Sequence, residues 1–120
     1  MKRLTKAEEQ IMMVLWEIGS GLLMEIVEAM PEPKPHKNTV ATILKILTEK
    51  KFVHVEPVGR FHKYYPSVTK DAYSNRTLTG LVADYFEGSF TDAVSFLVKK
   101  KKLSVSDLEL LLKQLKKDKS

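Results

Sequence analysis

Apolar residues recur along this chain with two different periods, and the change of period divides it into elements. Ile11, Val14, Leu15 and Ile18 follow i, i+3, i+4, i+7 spacing and predict a first amphipathic helix. Thr5 and Glu8 in "TKAE" form a capping box at its start, and Gly19 and Gly21 end it. A second, shorter helix presents Leu23, Ile26, Val27 and Met30 before "PEPKP" stops it, because proline lacks a backbone donor. A third helix, from about Asn38 to Lys50, turns Val40, Ile43, Leu44 and Leu47 inward. The period then falls to two. "FVHVEPVGRFHKYYP" predicts two short strands around a type II′ turn at Gly59-Arg60, with Val58 opposite Phe61, Glu56 opposite Lys63 and Val55 opposite Tyr64.

Helical spacing returns beyond Pro66. Thr69 is a candidate N-cap, and Leu78, Leu81, Val82 and Tyr85 keep the spacing up to Gly88. Ser89 caps a helix carrying Phe90, Ala93, Val94 and Leu97, and Ser104 with Asp107 opens one carrying Val105, Leu108, Leu111, Leu112 and Leu115. The predicted fold class is mainly α with a small β-hairpin. Three helices followed by a hairpin is the order of a winged helix-turn-helix, expected over residues 1–72. The helices of 73–120 are too short to bury their apolar faces alone, so a helical dimerisation domain is expected there, with a second copy of the chain as partner.

The outward face of the third helix changes the picture. It carries Lys37, Asn38, Thr39, Ala41, Thr42 and Lys45, short or cationic side chains with no acid before Glu49. Residues 1–33 hold three basic and six acidic side chains, a net −3, whereas residues 34–63 hold seven basic and two acidic ones, a net +5. Such a local basic patch is the footprint of a polyanion. Near a helix N-terminus, side chains of this kind let the backbone approach base edges in a major groove: Asn38 suits adenine, Ala41 and Thr42 suit thymine methyls, Lys37 with the helix N-terminus suits phosphate, and Lys45 suits phosphate or guanine. Arg60 is expected at the hairpin tip, with His62 and Lys63 beside it as wing contacts. The competing reading is a winged-helix module that binds an acidic protein, motivated by the absence of arginine from the helix.

Other chemistries find little support. A chain of 120 residues without cysteine has no disulfide framework or thiolate metal site, and it is compatible with a cytoplasmic location. No stretch has the length of a signal peptide core or a membrane span. In the predicted register His54 and His62 fall on opposite hairpin faces, so no metal and no other cofactor is expected. No nucleophile, zinc or nucleotide fingerprint appears, so the chain is expected not to be an enzyme and to take no small-molecule substrate. Trp16, the methionines, Phe86, Phe90 and Phe96 are expected in the core or the dimer interface.

The segments "LTKAEEQIMMVLWE", "NTVATILKILTEKKFV", "HKYYPSVTKDAYS" and "YFEGSFTDAVSFLVKKKKLSVSDLELLL", in this order, resemble the penicillinase repressors, regulators of β-lactamase and methicillin-resistance genes in bacteria. The resemblance implies a homodimeric repressor that binds a palindromic operator on double-stranded DNA through its third helix. It implies dimerisation through the C-terminal helices, here Leu78, Leu81, Val82, Tyr85, Phe86, Leu108, Leu111, Leu112 and Leu115. It also implies a membrane sensor-protease as a third partner. In antibiotic-responsive members the cut falls just before a phenylalanine, at the position matched here by Ser95-Phe96. Lys51 stands where relatives usually have glycine, and Lys99–Lys102 where antibiotic-responsive relatives tend to be acidic. The copper-responsive branch holds its metal with C-terminal cysteines, which this chain lacks.

Overall fold

The computed structural model describes residues 3–118. In chain order the elements are α1 (Lys6–Ile18), β1 (Gly21–Leu22), α2 (Leu23–Ala29), α3 (Lys37–Glu49), β2 (Val53–Val58), β3 (Phe61–Pro66), α4 (Lys70–Phe86), α5 (Phe90–Lys99) and α6 (Val105–Asp118). The chain divides into two compact units, Met1–Ser74 and Asn75–Ser120, with the division inside α4.

In the first unit the predicted capping box opens α1: Thr5 Oγ1 accepts from the Glu8 N–H, and Glu8 Oε1 accepts from the Thr5 N–H. Ile11, Val14 and Leu15 are buried as the spacing requires, with Ile26, Val27, Met30, Val40, Leu44, Leu47, Phe52 and Val53 against them. Two positions on α1 differ from the expectation of burial: Ile18 is 38% and Met13 48% exposed, whereas Met12 is fully buried as expected of the methionines. Ile18 sits in the last turn, where the helix runs out beyond the core, and Met12 widens the apolar stripe by one residue. Ile43 packs on the core from its edge.

The hairpin register is the predicted one, from Val53↔Pro66 to Val58↔Phe61. The sheet nevertheless has three strands, not two, in the antiparallel order β1–β3–β2. The additional strand pairs Gly21 with Tyr64 and Leu22 with Lys63, and at two residues it is too short to show any period. A Cβ on Gly21 would meet Ile18 Cδ1 at 3.0 Å, so glycine there makes room for the side chain at the end of α1. Pro57 lies on the edge strand β2, where its missing donor is tolerated.

The end of α3 is held in two ways. Lys51 takes the left-handed conformation, φ 67, that glycine usually supplies. The Phe52 N–H then donates to Leu47 O at 2.9 Å and the Lys51 N–H to Thr48 O at 3.0 Å, a Schellman closure. The turn costs roughly 1 kcal/mol for a residue with a Cβ, and the complete burial of Phe52 that follows it returns about 2–3 kcal/mol. Beside it, Lys50 Nζ reaches Glu8 at 2.7 and 3.0 Å and also the Arg3 carbonyl at 3.4 Å. Burial works to raise the Glu8 carboxyl, but Lys50 and the Thr5 N–H outweigh it and hold the carboxyl below its ordinary value.

In the second unit Ser89 caps α5 by accepting from the Asp92 N–H. Ser104 and Asp107 form a reciprocal box at α6, with distances of 3.1 and 3.0 Å. The Ser104 N–H holds the Asp107 carboxyl below its usual value. Val82 is the one buried side chain of this unit among the described residues.

Replacing Glu8 by Gln keeps an acceptor for the Thr5 N–H but removes the charge facing Lys50, and should destabilise the chain by about 1–3 kcal/mol near neutral pH. Because the folded carboxyl titrates below the unfolded one, its contribution is full above the ordinary carboxylate range and fades as pH falls through the lowered value. Urea denaturation of both proteins across that range should show the difference shrinking on acidification. A difference that does not change with pH would overturn the assignment.

Candidate nucleic-acid interface

The third helix begins one residue earlier than its apolar spacing suggests. His36 is the N-cap, and its Nδ1 accepts from the Asn38 N–H at 3.1 Å. Histidine is not among the usual capping residues, so composition gave no signal for it.

The apolar face formed by Val40, Leu44 and Leu47 fixes what α3 turns outward. By helical geometry Asn38, Thr42 and Lys45 form one line opposite the core, all three exposed. Lys37 and the half-buried Ala41 flank this line on one side and Thr39 flanks it on the other. Thr39 and Ala41 therefore address different walls of any groove that α3 enters. Thr42 Oγ1 donates to Asn38 O at 2.9 Å, which spends its hydroxyl proton on the helix and leaves the methyl group outward. The side chains of Lys37, Asn38 and Lys45 have no intramolecular partner among the described residues. Farther along the same line is Glu49, which confines the anion-attracting part of the face to the first two-thirds of the helix.

Strand alternation sorts the wing residues. Val53, Val55, Pro57, His62 and Tyr64 share the face nearer the core, whereas His54, Glu56, Val58, Phe61, Lys63 and Tyr65 share the outer one. His62 and Lys63 thus point to opposite sides. Glu56 and Lys63 are partners in register but make no ion pair: Lys63 Nζ lies 5.6 Å from the centroid of the Tyr65 ring, and Glu56 approaches His54 Nε2 at 3.9 Å. His54 stacks on Tyr65 at 4.9 Å and meets Ser67 Oγ at 3.1 Å. Arg60 is exposed at the tip and unpaired among the described residues.

Among the expected dimerisation residues, Val82 is buried and Phe86 and Leu108 are half-buried; Leu78, Leu81, Tyr85, Leu111, Leu112 and Leu115 are exposed, Tyr85 to 75%. Ser95 and Phe96 lie within α5, where Phe96 meets Phe86 ring to ring at 5.5 Å and carries Lys100 Nζ at 5.7 Å over its face. No helix among the described residues is long and apolar enough to cross a membrane.

A helical core, a third helix with a polar outward face, and a hairpin wing define a winged-helix regulator. Among solved structures, the Bordetella bronchiseptica protein BpsR, described in terms of the regulation of its DNA binding by 6-hydroxynicotinic acid, matches with a TM-score of 0.50 at 19% identity. The match covers 98% of this chain and 76% of BpsR, and at that identity it speaks to fold alone. A CopR repressor structure is 32% identical, covering 54% of this chain and 96% of its own, with a TM-score of 0.47. No protein of curated function matches. The sequence profile of the penicillinase repressors matches residues 4–117. The chain belongs to the penicillinase repressor family, which places it among DNA-binding transcriptional repressors rather than enzymes.

Proposed function

We propose that this protein is a homodimeric repressor whose residues 1–72 bind a palindromic operator and whose residues 73–120 join the two copies. The observation that carries the reading is the exposed line Asn38, Thr42 and Lys45 on α3, together with an unpaired Arg60 at the wing tip. In this reading Lys37 and the start of α3 hold phosphate, where exposed backbone donors and the positive helix end favour an anion. Asn38, Thr39, Ala41, Thr42 and Lys45 meet base edges or the groove walls. Arg60, His62 and Lys63 act from the wing, with His62 and Lys63 serving its two different sides.

The exposed apolar side chains of α4, α5 and α6 support the dimer, since a lone chain leaves Leu78, Leu81, Tyr85, Leu111, Leu112 and Leu115 in water. Two linked winged domains bind two half-sites with far greater avidity than one. Relief of repression follows from the same arithmetic. A membrane sensor-protease is the proposed antagonist, cutting Ser95-Phe96 and separating the copies by loss of α6. Because a protease takes its substrate extended, α5 must unwind locally before that bond can be reached, and Lys99–Lys102 offers any such protease a cationic flank.

Binding to DNA from the chain's own upstream region, followed by fluorescence anisotropy, should weaken for Lys45→Ala and Thr42→Ala. If Lys45 holds a phosphate, the log–log salt slope should flatten by about one unit; if it holds a base, the loss should be about 1–3 kcal/mol and confined to one operator position. An unchanged footprint for the double variant would count against α3 as the reading element. Leu111→Asp, on a face already wet in the single chain, should leave helicity intact by circular dichroism and give monomers in sedimentation equilibrium. Affinity for the full palindrome should then fall by about 10²–10⁴-fold, and dimers of undiminished affinity would refute the proposed interface. Co-expression with the cognate sensor-protease and inducer should yield a fragment ending at Ser95, and mass spectra containing intact chain alone would exclude the cleavage.

A further inference from the structure

A half-open pocket of about 380 Å³ lies beside α1 in the first unit, and none of the residues proposed to meet DNA lines it. Gln10, Met13, Val14 and Glu17 border it at i, i+3, i+4, i+7 spacing, so they form one line along the helix. Trp16, Pro31 just past α2 and Lys70 in the first turn of α4 complete the lining. The apolar part of this surface is set before anything binds. Trp16 Nε1 donates to Val68 O at 2.8 Å, which satisfies the indole's one polar atom, and the ring meets Tyr73 at 5.7 Å between centroids. The Tyr73 hydroxyl in turn donates to Glu9, so the first turn of α4 is tied to α1. Val14 is buried and Trp16 half-buried, while Met13 and Pro31 stand exposed beside them.

The same pocket carries two opposite charges that do not meet. Glu17 and Lys70 both line it yet form no ion pair with each other, and neither of them, nor the Gln10 amide, has a partner among the described residues. A carboxylate and an ammonium group held apart beside an apolar surface complement a molecule with the reverse pair of charges and an apolar remainder. We infer that the pocket binds a free α-amino acid with an apolar side chain. Its carboxylate meets Lys70, its ammonium group meets Glu17, and its side chain covers Met13, Val14, Trp16 and Pro31. The size agrees, because ordinary ligand pockets span about 300–1,000 Å³ and this one is at the lower end, which suits an amino acid better than a large cofactor. A segment of another protein could bring apolar side chains here, but a free amino acid carries both charges on one carbon. Bound in this way, the ligand joins α1 to the first turn of α4, the helix in which the two units divide.

Isothermal titration of the full chain, without DNA, tests this with L-leucine, L-methionine and L-phenylalanine. At least one should bind. For the tightest of them, the analogue lacking the carboxylate and the analogue lacking the amino group should each bind about tenfold more weakly, since each forfeits one charge-assisted contact. Lys70→Ala should weaken the amino acid by a similar factor and erase its advantage over the amine analogue, whereas Glu17→Gln should erase its advantage over the acid analogue. Both side chains are exposed and unpaired, so circular dichroism should show both variants folded as the wild type is. No heat from any of the three amino acids at millimolar concentration, an analogue that binds as tightly as its parent, or affinities untouched by both substitutions would each overturn the inference. So would a Lys70→Ala chain whose sedimentation changes while no amino acid binds, because the pocket would then belong to a contact between copies. With no DNA in the assay, failure here leaves the operator reading intact.

Discussion

The reversal at the end of α3 is the constraint on which the first unit depends. A helix that offers one face to a ligand can be held only by its other face and its ends, and here the C-terminal end is fixed most firmly. The Glu8–Lys50 pair joins the start of α1 to the end of α3 in a setting where Glu8 keeps only 4% of its surface. One residue later the left-handed turn at Lys51 drops Phe52 into the core, and one further residue begins β2. Wing and α3 therefore share one origin: whatever orients the end of the helix also sets where the hairpin departs. The strain at Lys51 is smaller than the burial it permits, which is why a residue with a Cβ can stand at a position that favours glycine.

The opposite end of α3 is built differently. His36 caps it through a ring nitrogen, and Lys37, Asn38 and Thr39 that follow are all exposed. No ion pair among the described residues involves the cations of this end. Charge is thus neutralised at the end that must be rigid and left unneutralised at the end proposed to meet phosphate. Thr42 likewise donates its hydroxyl proton to Asn38 O within the helix, which leaves its methyl group and an acceptor oxygen for a ligand.

Much of this was legible in the sequence where a local rule decides the outcome. The boxes at Thr5/Glu8 and Ser104/Asp107 follow from side chains that can reach only their own first turn. The hairpin register follows from the two-residue turn and strand alternation. The divergence of His62 and Lys63 follows from the same alternation. What was not legible depended on parts distant in sequence. β1 exists because Gly21 and Leu22 meet Tyr64 and Lys63, some forty residues on, and no periodicity in two residues can announce that. Glu56 and Lys63 were placed opposite each other correctly, yet the competing attractions of His54 and Tyr65, set by side-chain packing, draw them apart. Ile18 and Met13 stay exposed against expectation because the width and end of the α1 stripe are set by α2 and α3, not by α1 itself.

The two units differ in how complete each is within one chain. In the first, the large apolar side chains of α1, α2 and α3 converge on one core, and those left outside are scattered. In the second, Val82 is buried while leucines, phenylalanines and Tyr85 on three successive helices stay wet. That imbalance is not a defect of packing, because Ser89, Ser104 and Asp107 cap these helices as carefully as Thr5 caps α1. Helices that are well ended but poorly covered have their secondary structure specified locally and their burial deferred to an assembly. In the proposed dimer, a unit of this kind would gain stability as protein concentration rises. If the proposed dimer forms in this way, control is most economically exerted on the second unit, since undoing its association would lower operator occupancy without unfolding the unit proposed to read DNA.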